Sequence, residues 1–198
     1  MTRRRAVLRA GFTGDPGTAR DALADADPDV RVAALRSLDR LDELDDAALE
    51  GGLNDPDGSV RVAALELAAP RLSPPIDHLL DDPEPAVVEQ AAWACGERDT
   101  DPEPPIARLA ALAGDHDDPL VREAAVAALG ALGDDAGLAA VLAATEDKPA
   151  VRRRAVLALA AFDGPEVDAA WARARTDRDR QVRDAVDELL GPVEEPAD

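Results

Sequence analysis

Apolar residues return along this chain in a fixed order. Counting from a recurring valine, positions +4 and +8 are apolar, and +5 is apolar in every repeat but the last, which is helical spacing rather than strand alternation. The valines are Val30, Val60, Val87, Val121, Val151 and Val182, at steps of 30, 27, 34, 30 and 31 residues. Positions +4 and +8 read Ala34 and Leu38, Ala64 and Ala68, Ala91 and Cys95, Ala125 and Leu129, Ala155 and Leu159, and Val186 and Leu190. A period of this size predicts stacked helical repeats, each packing on its neighbours.

The predicted helices open alike. Pro28, Pro85, Pro119 and Pro149 stand two residues before the valine, where a missing N–H costs nothing. Asp27, Glu84, Asp118 and Lys148 precede them, and Asp57 and Asp179 hold that place in the repeats without proline. An aspartate there accepts from the free N–H groups of the first turn. Shorter segments at roughly 16–24, 43–53, 74–81, 103–114, 134–144 and 165–176 are bounded by Gly, Pro and Asp and supply a first helix to each repeat. The repeats fall near 15–41, 42–72, 73–98, 99–133, 134–163 and 164–191, forming one domain over 1–191. Residues 1–14 form a partial repeat: RRRAVL at 3–8 matches RRRAVL at 152–157, and Phe12 is set against Phe162. The acidic, proline-broken stretch 192–198 is expected to be disordered.

This order of acidic turn, Pro, Val-Arg, Ala-Ala and Leu-Gly resembles HEAT repeats, specifically the short class related to bilin-lyase HEAT-like units. The resemblance implies an all-α fold, a right-handed α-solenoid (superhelical array) of about six helix-turn-helix units. It also implies a ladder between neighbouring repeats. Arg31, Arg61, Arg122, Arg152 and Arg183 follow the valines, with Val88 breaking the series. Asp25, Asp55, Asp82, Glu146 and Asp177 stand five residues before a valine, and His116 takes that place in the fourth repeat. A guanidinium fork suits such carboxylates.

The second helices of a solenoid line its concave face, and positions +2 and +6 point out of the core. They include Val32, Arg36, Val62, Glu66, Glu89, Trp93, Glu123, Arg153 and Leu157. Trp93 stands where other repeats carry Arg, Glu, Ala, Leu and Glu, and indoles concentrate at binding hot spots. The expected function is therefore a non-catalytic scaffold or adaptor that takes a protein or peptide partner on this face. Two alternatives from the same family remain: a nucleic-acid binder of the HEAT-like DNA glycosylase type, and a bilin-lyase-like protein. Trp171, in a first helix, is expected to pack locally.

Charge changes the picture in one respect. Formal net charge is −20, from 42 acidic residues against 22 basic ones, and only Lys148 is a lysine. Aspartate-rich, lysine-poor composition resembles proteins of salt-in halophiles, where a Debye length of about 3 Å in molar salt leaves such charge little reach. The arginines from Arg152 to Arg154 and from Arg173 to Arg183 form a basic C-terminal cluster interleaved with Asp177, Asp179, Asp184 and Asp187, which points first to local ion pairing. The one cysteine, Cys95, precludes an internal disulfide and fits a reducing, cytoplasmic setting; its repeat position predicts burial. No apolar stretch is long enough for a membrane span. His78 and His116 have no ligand at metal spacing, and no phosphate loop or serine elbow is present, so no cofactor, metal or catalytic residue is assigned.

Overall fold

A computed structural model describes residues 2–98 and 103–191. The tail expected to be disordered, 192–198, lies outside them. The described residues form α-helices and short 3-10 turns with no strand, so the fold is all-α, of the α-solenoid class.

The chain divides into two compact units, Met1–Ala94 and Cys95–Asp198. The first contains α1 (Arg3–Thr13), α2 (Pro16–Asp21), α3 (Pro28–Arg40), α4 (Asp46–Leu53), α5 (Gly58–Ala68), a 3-10 turn at Asp77–Asp81 and most of α6 (Pro85–Glu97). In the second lie α7 (Ile106–Asp115), α8 (Pro119–Leu132), α9 (Leu138–Ala144), α10 (Pro149–Ala158), α11 (Pro165–Ala174) and α12 (Arg180–Leu190). The even-numbered α2 and α4 with α7, α9 and α11 are the short first helices. The third repeat has only the 3-10 turn in that role, because Pro74 and Pro75 lack the donors an α-helix needs across 74–81.

The second helices start where their caps put them. Asp27, Asp57, Asp118 and Asp179 each accept the N–H two residues ahead, at 2.8–3.0 Å. Lys148 opens α10 without a side-chain cap. Apolar stripes then pack inward: Ala34, Leu38, Ala64, Ala68, Ala91, Ala125, Leu129, Ala155 and Leu159 are completely buried, and Cys95 nearly so. Leu190 departs from the pattern at 47% exposed, since no described helix follows α12 to cover it.

Small residues set how closely second helices approach. A Cβ on Gly130 of α8 would lie 2.7 Å from the Cα of Ala158 in α10, and one on Gly11 of α1 would lie 3.1 Å from the Cα of Ser37 in α3. Both glycines follow the Leu-type position in their repeat, so the Leu-Gly phrase is a seam for close backbone contact. Ser37 exploits the approach and donates to the Val7 carbonyl at 3.0 Å.

Trp171 packs locally. Its indole rests on the cluster of Val156, Ala174, Val182, Ala185 and Val186, and Nε1 donates to the Val156 carbonyl at 3.2 Å. That carbonyl sits where α10 tightens into the 3-10 turn Leu159–Ala161. Phe12 and Phe162 are not equivalents. Phe162 is buried, whereas Phe12 is 72% exposed with the Arg40 guanidinium 4.3 Å over its ring.

Candidate functional site

Four of the ladder arginines have two tasks. In each, Nη1 donates to the carbonyl of its own turn, and Nε and Nη2 form a fork. Arg31 donates to the Asp25 carbonyl at 2.8 Å and grips Asp55 at 2.7 and 2.6 Å. Arg61 donates to the Asp55 carbonyl at 2.8 Å, grips Asp82 at 2.8 and 2.9 Å, and also reaches Glu84 at 3.0 Å. In the second unit Arg122 donates to the His116 carbonyl at 2.7 Å and grips Asp147 at 2.6 and 2.8 Å. Arg152 donates to the Asp147 carbonyl at 2.8 Å and grips Asp177 at 2.9 and 2.8 Å. Arg183 performs only the first task, on the Asp177 carbonyl at 2.6 Å.

These bidentate pairs are shielded from solvent and shift the charges of their members. Burial pushes the Asp55 carboxyl up, yet the Arg31 fork and the Asp57 N–H hold it below the ordinary 3.8. The Arg122 fork lowers Asp147 and the Arg152 fork lowers Asp177 against smaller burial penalties. In turn the hydrogen-bonded aspartates raise Arg31, Arg61, Arg122 and Arg152.

One acceptor differs from the sequence reading. Asp147, four residues before its valine, takes the place expected of Glu146. Asp147 receives the Arg122 fork and accepts the N–H of the next residue, where Asp25, Asp55, Asp82 and Asp177 accept that of the residue after next, so Asp147 is the structural equivalent and its turn is one residue shorter. Glu146 is an exposed neighbour, 4.0 Å from Arg173. At the fourth turn His116 substitutes for aspartate as a backbone acceptor: its Nδ1 receives the Asp118 N–H at 3.1 Å. The pairing rule would join positions 88 and 116, and both members of that pair are replaced, by Val88 and His116. The partial repeat also has its rung, which sequence alignment of RRRAVL contained but did not announce: Arg3 pairs with Asp25.

The outward positions of the second helices separate into two groups. In the first unit Val32 and Val62 are half-buried, and Arg36 donates to Glu66 at 2.8 Å, which places the +6 residues of α3 and α5 side by side. Glu89 is half-buried and Trp93 is 42% exposed on α6. In the second unit Glu123 and Leu157 are half-buried and Arg153 is exposed, while Arg154 reaches Glu123 at 3.5 Å. Thus on α3, α5, α6, α8, α10 and α12 the indole is the large apolar side chain left open at +2 and +6.

Among the described residues no group of three or more His, Cys, Asp or Glu side chains is placed to hold a metal ion, and no helix is long and apolar enough to cross a membrane. Cys95 is a buried thiol.

No curated protein sequence matches the chain at a significant level. Solved structures similar to it include human deoxyhypusine hydroxylase in complex with glycerol, 20% identical with a TM-score of 0.51 over 95% of this chain and 77% of that one. A designed armadillo repeat protein in complex with a (KR)4 peptide is 16% identical with a TM-score of 0.46, over 94% of this chain and 85% of that one. Identities this low speak to fold alone. Sequence evidence goes further: the model of HEAT repeats matches residues 47–130, 72–148 and 106–191, which together span well over half of the chain, and the protein belongs to the HEAT-repeat family.

Proposed function

We propose that this chain is a non-catalytic interaction scaffold that binds a protein or peptide through the outward positions of its second helices. The observation that carries this reading is Trp93. An indole 42% exposed at a position where other repeats carry Arg, Glu, Ala, Leu and Glu fills no requirement of the repeat. It offers a large rigid surface at small entropic cost, as binding anchors do. Val32 and Val62 extend an apolar strip on α3 and α5, and the Arg36–Glu66 pair gives that strip a polar margin. The finer assignment to the short bilin-lyase-type class and the adaptation to molar salt belong to the same proposal; the latter rests on the lysine-poor, aspartate-rich surface. A reducing, cytoplasmic setting fits the lone buried thiol.

Affinity capture from lysate at molar KCl, comparing wild type with Trp93→Ala, tests the reading. A protein retained by wild type and lost with the variant, at unchanged melting temperature, supports it. Retention that ignores Trp93, or a melting temperature that falls with binding, overturns it.

A further inference from the structure

Two crevices occupy equivalent places on the ladder, one in each unit. The first, about 230 Å3, is floored by the Arg31–Asp55 pair and walled by Leu35, Gly52 and Val60. A second, about 360 Å3, is floored by Arg152–Asp177 and walled by Val156, Ala170, Ala174 and Val182. Their mouths differ. Counted from the ladder aspartate, positions −4 and +1 are Gly51 and Pro56 in the first unit and Arg173 and Arg178 in the second. Both arginines line the larger crevice.

Neither cation is held by a firm partner. Arg178 makes no hydrogen bond or ion pair among the described residues, and Arg173 reaches Glu146 only at 4.0 Å, with both of those side chains mostly in solvent. By contrast Arg20, Arg31, Arg36, Arg61, Arg122 and Arg175 each find a carboxylate within 2.8 Å. Against those pairs, Arg173 and Arg178 leave two loosely held cations on the lining of one hollow.

We propose that this crevice binds a phosphate monoester, with Arg173 and Arg178 clamping the phosphate and the organic portion lying against Val156, Ala170, Ala174 and Val182. In the four forked rungs a carboxylate is occupied by one guanidinium fork and one backbone N–H. A phosphate presents more acceptor oxygens and nearly two charges, and it takes two forks. The Arg152 fork is already committed to Asp177, so the two mouth residues are the available ones. Glu146 opposes the ligand from the rim and is the residue whose charge weakens the site.

Phenyl phosphate and inorganic phosphate, titrated calorimetrically at low and at molar KCl, are the probes. Phenyl phosphate is expected to bind more tightly than inorganic phosphate because the walls are apolar. R173A/R178A is expected to lose at least about tenfold in affinity, the scale of a lost charge-assisted pair, with its melting temperature unchanged. E146Q is expected to bind more tightly. The G51R/P56R variant transplants both arginines to the first unit, where a side chain at position 51 meets open space, and is expected to add a second phosphate site. A phosphoserine peptide bound more tightly than phenyl phosphate identifies a phosphorylated protein as the source; equal or weaker binding identifies a small phosphorylated metabolite. Absence of binding by wild type, or equal binding by wild type and R173A/R178A, overturns the proposal. Trp93→Ala leaves phosphate binding unchanged, so this site and the Trp93 surface fail or stand separately.

Discussion

In the first unit three arginines meet three aspartates at one repeat position: Arg3 with Asp25, Arg31 with Asp55 and Arg61 with Asp82. The second unit keeps that position at Arg152–Asp177 and departs from it in its other turns. Asp147 sits one residue nearer its valine, His116 stands in as a turn acceptor, and Arg183 holds its own turn while its fork meets no carboxylate among the described residues. The difference shows what the repeat conserves physically. It is not a residue at a count from the valine. It is a carboxylate that can accept a backbone N–H of its own turn and a guanidinium fork from the preceding hairpin together.

The sharpest way to break this comparison is to empty a rung. Arg61→Ala leaves Asp82 shielded and unpaired, and is expected to cost about 3 kcal/mol in urea unfolding. Arg183→Ala removes only a hydrogen bond to a carbonyl and is expected to cost about 1 kcal/mol. Equal losses would mean that the fork contributes nothing beyond the turn contact.

The displaced acceptor gives the next test. Asp147→Ala is expected to cost about 2 kcal/mol, whereas Glu146→Ala stays within about 0.5 kcal/mol. Reversal of these two would restore the fixed count and remove the shortened turn. The helix seam is expected to show a contrast of comparable size. Gly130→Val drives a side chain into the Ala158 backbone and costs about 2 kcal/mol, while Gly51→Ala in α4 meets nothing within 4 Å and gains about 0.5–1 kcal/mol, what helix propensity returns.

Acid affects both units in the same direction. Asp55, Asp147 and Asp177 titrate below 3.8 in the folded chain, so the folded state binds fewer protons than the unfolded one near that pH. Their stabilisation is complete above the ordinary carboxylate range and is lost as pH falls through the depressed values. Thermal melts should fall steeply below about pH 4 in wild type and less steeply in Asp147→Asn. The smallest effect is expected at the exposed Arg36–Glu66 pair, where Arg36→Ala changes stability by less than about 0.5 kcal/mol.

Most of the fold was legible because a period repeats its own evidence. Valine, alanine and leucine at fixed helical offsets gave the second helices, and proline with aspartate gave their starts. The first helices were harder: α2 stops at Asp21 and the third repeat has only a 3-10 turn, since short segments rich in Gly and Pro take their ends from packing. Counting identified Glu146 rather than Asp147 because a one-residue shortening of a turn leaves the valine spacing untouched. Composition marked Trp93 as unusual, but its exposure depends on what lies around α6, which no local pattern encodes. The two loosely held arginines were hidden inside a cluster whose alternating signs suggested mutual neutralisation; Arg175 and Arg180 do find Asp187 and Asp184, whereas Arg173 reaches only Glu146 at 4.0 Å.

The two-handed arginine has a genetic consequence. A hairpin that carries an acceptor for the arginine before it and a fork for the carboxylate after it matches any copy of itself at both ends. Tandem duplication of the coding segment therefore creates a finished junction at once, with no compensating mutation needed. Lengthening or shortening such a chain by whole hairpins is a single genetic event, and a shift of the acceptor by one residue, such as Asp147 shows, is compatible with it so long as the turn still offers a carboxylate.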